Sequence, residues 1–142
     1  MLKRIQRFLT FNKKGAGGQT TSLSGKEVGR RGEELAADFL KKHGYKIVQT
    51  NYRCSRGEID IIAQQGGCLV FFEVRTTTGH GFSTPEESVT FSKRRKLASL
   101  ASMYLQTLDR QPSSWRIDVV AVEITPDGRV SRLDHIENAL SD

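Results

Sequence analysis

A three-layer α/β sandwich is the fold class this sequence predicts, and three observations predict it. Patterned segments follow one another in the order α-β-β-β-α-β, with a short strand after them, so helices flank the segments of a single sheet. The third strand segment, Cys68–Arg75 (CLVFFEVR), is almost continuously apolar, as a strand covered on both faces must be. The chain has 142 residues, 37% hydrophobic and 27% charged, which suffices for one domain with a substantial core. The division expected is a basic flexible tail over 1–24 and the sandwich domain over 25–142.

Each element has its own signal. In the tail, Leu2, Ile5, Phe8 and Leu9 recur at helical spacing among Lys3, Arg4 and Arg7, which fits a short basic amphipathic helix over 2–11, although composition favours a solvated, partly disordered extension. Residues 12–24 are rich in Gly, Ser and Thr and read as a linker. Ser24-Gly-Lys-Glu27 is a capping box that opens a helix running to about His43. Val28, Gly32, Leu35, Ala36, Phe39 and Leu40 form its apolar face, where small Gly29, Gly32 and Ala36 predict close packing; Gly44 ends it as a left-handed cap. Strands are expected over 45–53, 58–64 and 68–75, the last two joined by a Gly66-Gly67 hairpin turn. Residues 76–84 read as a loop, and Thr84-Pro85-Glu86-Glu87 as a second helix-start signal. A longer helix over about 92–108, a strand over 116–124 and a short edge strand over 129–133 complete the chain.

Composition excludes several classes. No apolar run approaches the roughly 18–20 residues that a membrane span requires, and the N-terminus lacks the features of a secretory signal. Cys54 and Cys68 are too few for a disulfide scaffold or a zinc site; they read as reduced thiols of a cytoplasmic protein. No Walker motif, dinucleotide fingerprint or Ser/His/Asp constellation is present. The net charge is +6, but residues 1–24 hold five cations and no acid, and the rest holds 17 basic and 16 acidic side chains. A case for nucleic acid therefore rests on local clusters within a nearly neutral domain.

One constellation suggests chemistry. Asp60 sits inside the apolar run Ile59-Asp60-Ile61-Ile62, and Glu73 follows Val70-Phe71-Phe72. Arg75, two residues on, projects from the same strand face as Glu73. Symmetric pairing about Gly66-Gly67 puts Asp60 opposite Glu73. Facing carboxylates repel unless a cation or a proton lies between them. Two carboxylates suit Mg²⁺ or Mn²⁺ rather than zinc. The alternative at this point is structural: acids at strand ends, with Arg75 neutralising Glu73 through a salt bridge.

These residues belong to a larger pattern. Gly29-Arg-Arg-Gly32-Glu33-Glu34-Leu35-Ala36, Asn51-Tyr52-Arg53, Gly57-Glu58-Ile59-Asp60-Ile61-Ile62-Ala63, Phe71-Phe72-Glu73-Val74-Arg75, Pro85-Glu86-Glu87 and Ile117-Asp-Val-Val-Ala-Val122 occur in that order. Over about 25–136 the chain resembles the UPF0102 (YraN-like) bacterial proteins. That family is similar to the restriction-endonuclease-like superfamily of PD-(D/E)xK nucleases, and most closely to archaeal Holliday-junction resolvases. The resemblance implies a central mixed sheet between helices. It implies that Asp60, Glu73 and the backbone carbonyl of Val74 hold the divalent metal, with Glu33 as an additional helix acid for a second metal or a water. Glu34, about 100° away around the helix, serves as the control. The superfamily usually has lysine where Arg75 stands. Arginine cannot act as a base, but it can orient a phosphate through parallel hydrogen bonds.

A second cluster, Lys93-Arg94-Arg95-Lys96, opens a helix, where the macrodipole disfavours cations. A phosphate partner explains the placement; a solvated basic face, with Glu86 and Glu87 as partners, is the alternative. Arg30, Arg31, Arg53 and Arg56 are candidates to extend that surface. His80 reads as an exposed loop residue, His43 and His135 as surface residues, Asp118 as a structural acid outside the site, and Trp115 as a packing residue. The leading expectation is an Mg²⁺- or Mn²⁺-dependent endonuclease for structured DNA such as branched junctions, with Glu33, Asp60, Glu73 and Arg75 as catalytic residues. The sequence leaves the oligomeric state open; the resemblance to resolvases, which cut as dimers because a junction presents paired strands, adds a homodimer to the options. The rivals are a non-catalytic nucleic-acid-binding module on the same fold and an interaction protein docking through its basic tail.

Overall fold

The computed structural model describes residues 4–8, 22–79 and 91–139. The elements are β1 (Arg4–Phe8), α1 (Gly25–Lys42), β2 (Lys46–Cys54), β3 (Gly57–Gln65), β4 (Cys68–Thr78), α2 (Phe91–Gln106), β5 (Ser114–Ile124) and β6 (Val130–Glu137). The six strands form one sheet in the order β1-β6-β5-β4-β3-β2. Only β4 and β5 run parallel; every other neighbouring pair is antiparallel. A parallel pair cannot close through a hairpin, and α2 lies in the segment that crosses from β4 to β5. Among the described residues, no helix is long and apolar enough to cross a membrane.

The two helices cover opposite faces, which makes the three layers. Ala36 and Leu40 of α1 pack with Ile61, Ala63, Val70, Phe72, Val120 and Val122. Leu97, Leu100, Ala101 and Tyr104 of α2 pack with Ile62, Leu69, Phe71 and Ile117. Successive residues of β4 therefore serve different layers, which is why its sequence is apolar throughout. The α1 start is the capping box expected: Glu27 N–H donates to Ser24 Oγ at 3.3 Å, and Ser24 N–H donates to Glu27 Oε2 at 3.0 Å. Beyond its end, Gly44 takes φ +86.

The structure departs from the sequence reading at several points. Residues 4–8 form a strand instead of part of a helix, in register with Arg4 opposite Glu137 and Arg7 opposite Asp134. A short segment gains little as an isolated helix, whereas the open edge of β6 offers backbone partners. β6 is longer than the edge strand expected and lies inside the sheet, between β5 and β1. β4 continues to Thr78 because its parallel register with β5 persists to Ile124. His135 is buried at 2% exposure, not at the surface. Its Nε2 lies 2.8 Å from Asp118 Oδ2, and Asp118 also accepts from Arg116 Nε at 3.0 Å and from Asn138 N–H at 2.9 Å. Asp118 is thus the structural acid expected, fully satisfied inside the core. Cys54 and Cys68 are free thiols, each half-buried. Most of the linker, the Thr84–Glu87 signal and His80 lie outside the described residues.

Candidate functional site

The site forms where the β3–β4 ladder ends. From the Gly66-Gly67 turn the pairing runs Gln65 with Cys68 through Ile61 with Phe72. Continuing that register brings Asp60 to Glu73, as the hairpin symmetry predicts. There the backbone pairing stops and a side chain takes over: Val74 N–H donates to Asp60 Oδ2 at 2.8 Å. The N–H and C=O of one strand residue point to the same side, so the Val74 carbonyl also turns toward Asp60.

Close packing brings α1 to the same place. A Cβ on Gly32 would lie 1.8 Å from Thr76 Oγ1, so only glycine lets the helix approach β4 this nearly. The next residue, Glu33, then reaches the sheet. Glu33, Glu58 and Asp60 each offer a carboxylate oxygen, and these three atoms lie within 4.8 Å of one another. Glu34 behaves as the control should: it pairs with Arg31 at 3.4 Å on the exposed side of the helix.

The electrostatics show what this convergence costs. Burial first, then Glu73, and to a lesser degree Glu33 and Glu58 together push the Asp60 carboxyl up to about 8, against the Val74 N–H, which opposes them. Glu33 is also raised, by burial first and then by Glu58 and Glu73, against the nearby charge of Arg53. Arg53 Nε lies 3.0 Å from Glu58 Oε2.

Cations approach from α2. Lys93 Nζ is 2.8 Å from Glu73 Oε1, and Arg75 NH1 is 3.9 Å from the same atom. Lys93 and Lys96 line a groove of about 320 Å³ with Gly57, Glu58, Asp60, Glu73, Leu97 and Leu100. Arg94 and Arg95 are not among the lining residues. The Arg94 Nε is buried without a hydrogen-bond partner among the described residues. Arg56 faces α2, donating from NH1 to Ser99 Oγ at 3.3 Å. Arg30 and Arg31 instead line a separate hollow with Leu23 and Asp127. Trp115 is 43% exposed, with its ring edge-on to Phe71.

The structure thus gathers Glu33, Asp60, Glu73, Val74, Arg75, Lys93 and Lys96, and leaves Arg94 and Arg95 off the groove. Glu58 was missed. Its signal was present, because residue i−2 of a strand shares a face with residue i, and Glu58 stands two before Asp60. The cluster fits a hard divalent cation. Its donors are all carboxylate oxygens, with no histidine or thiol among the described members, and their mutual repulsion is the kind a cation relieves.

A mixed sheet between two helical layers, with acids gathered where β3 and β4 part, defines a three-layer α/β sandwich with an acidic site at its sheet. Residues 32–122 match the family described as "Uncharacterised protein family UPF0102". A UPF0102 protein of Symbiobacterium thermophilum is 52% identical over 114 residues, covering 80% of this chain and 96% of the relative. Another, of Desulforamulus reducens, is 44% identical over 121 residues, covering 84% and 99%. A third, of Nocardia farcinica, is 44% identical over 110 residues, covering 78% and 86%. The chain belongs to the UPF0102 family.

Proposed function

We propose that this protein is a divalent-metal-dependent endonuclease acting on structured DNA, branched junctions included. One observation carries the reading: Glu33 converges on Glu58 and Asp60, and these two line, with Glu73, a groove that the lysines of α2 also line. Asp60, Glu73 and the Val74 carbonyl would hold the Mg²⁺ or Mn²⁺, with Glu33 and Glu58 completing the oxygen set. Bound there, the ion supplies a lowered pKa for the attacking water and compensation for developing charge. The chain's own residues do the rest. Val74 N–H fixes the orientation of Asp60, and Gly32 sets the reach of Glu33. Arg75, one-third exposed beside Glu73, can present two parallel donors to a phosphate. Lys96 extends the positive rim along the groove.

The test is cleavage of labelled four-way junction, flap, duplex and single-stranded DNA with Mg²⁺ or Mn²⁺. Cleavage is expected to fall ~100-fold or more in Asp60→Asn and Glu73→Gln. Metal-independent cleavage, or full activity in Asp60→Asn, overturns the reading. Arg75 favours a second one, a non-catalytic nucleic-acid-binding module on the same fold, because a permanently charged guanidinium binds phosphate without accepting a proton. Binding without cleavage in both the natural chain and Arg75→Lys selects that alternative.

A further inference from the structure

The Lys93–Glu73 contact has a consequence for how the groove changes state. α2 has no acidic residue in its first turn, so Lys93 sits where the helix itself disfavours a cation. What favours Lys93 there is the acidic groove: its Nζ reaches across to Glu73, whose side chain is only 11% exposed. Arg75, by contrast, belongs to the same strand as Glu73 and holds a longer separation of 3.9 Å. A lysine has a flexible four-carbon stem and three freely rotating donors, so it can exchange partners without moving its helix. A divalent ion held by Glu73 would compete with Lys93 for the charge of the same carboxylate.

We propose that Lys93 is the exchangeable cation of this groove, paired with Glu73 in the absence of metal and released to a DNA phosphate when a divalent ion takes the carboxylate. The proposal rests on the nuclease-fold reading of the site and adds a positioning residue contributed by α2. It makes Lys93 a competitor of the metal and, once displaced, a phosphate ligand. Metal and DNA then bind with positive coupling: each frees the group that the other requires.

Two measurements on the full chain test it, and neither needs cleavage. First, Mn²⁺ is titrated into the natural chain, Lys93→Met and Lys93→Arg, with free Mn²⁺ read by electron paramagnetic resonance. Lys93→Met is expected to bind ~5-fold tighter or more, and Lys93→Arg to stay close to the natural chain. Second, the salt dependence of junction binding is measured with Ca²⁺ and with EDTA. The Lys93→Met slope is expected to shrink by about 1 with Ca²⁺ and to stay unchanged with EDTA. Unchanged or weakened Mn²⁺ binding in Lys93→Met overturns the proposal. So does a slope that falls equally in both conditions, which would mean Lys93 touches phosphate whether or not metal is present. If Mn²⁺ and DNA behave as expected but no DNA is ever cut, the exchange stands and the nuclease reading alone fails. If no DNA binds, the phosphate half of the proposal fails with that reading.

Discussion

Asp60 is the residue on which the site turns, because its charge is opposed from several sides. Its carboxyl is held at about 8 in the folded chain against an ordinary value of 3.8. The folded state therefore binds the extra proton between about 4 and about 8, and folding stability falls as pH rises through that window. Asp60→Asn keeps an acceptor for the Val74 N–H but cannot ionise. In metal-free buffer its melting temperature should exceed that of the natural chain at pH 8, and the gap should close toward pH 4. Calorimetry across that range checks this, and added Mn²⁺ should narrow the gap at pH 8. Glu58 gives the second prediction at this scale. Glu58→Gln should weaken Mn²⁺ binding by about tenfold while leaving the fold intact, and isothermal titration with circular dichroism measures both. The sequence showed the Asp60–Glu73 opposition because strand period and hairpin symmetry are simple rules. Glu58 obeys the same strand period, two residues before Asp60, but is easily passed over because a Gly-Glu pair at a strand start looks like ordinary polar turn chemistry.

The elements place these residues by contact, and one contact leaves no slack. α1 meets β4 at Gly32 and Thr76 with no space for a methyl group. Gly32→Ala should cost about 1–3 kcal/mol through overpacking, as urea denaturation would show. It should also reduce Mn²⁺ affinity, because Glu33 moves with the helix. Thr76→Ala in the same chain should recover part of both losses by making room. The small residues of α1 announced close packing in the sequence, but of the three glycines of α1 only Gly32 uses it; a Cβ on Gly25 or Gly29 would meet nothing within 4 Å. Helix faces were legible because their period is long and their apolar content high. β6 was not, since its buried Asp134 and His135 look like surface polarity until Arg132 and Asp118 supply their partners. The Lys93–Glu73 pair was equally hidden, because it joins two elements that only the tertiary fold brings together.

At the scale of the whole molecule, the sheet sets what the basic N-terminal segment does. β1 covers an edge of β6 that would otherwise present unpaired backbone groups. A chain lacking residues 1–8 should remain folded but self-associate, which light scattering coupled to size-exclusion chromatography would detect. If it stays monomeric at high concentration, β1 is dispensable as an edge guard. The sequence could not disclose this role, since five residues pair with strand partners more than a hundred positions away and carry no local sign of it. That separation also sets an order of assembly during translation. β1 leaves the ribosome first, and its partner follows only after about 125 further residues, a wait of roughly 6–25 s at ordinary elongation rates. Through that interval the segment has been made but has no mate, and both helical layers can settle before it docks. One edge strand of the finished sheet is thus made well before its neighbour and fitted only once that neighbour exists.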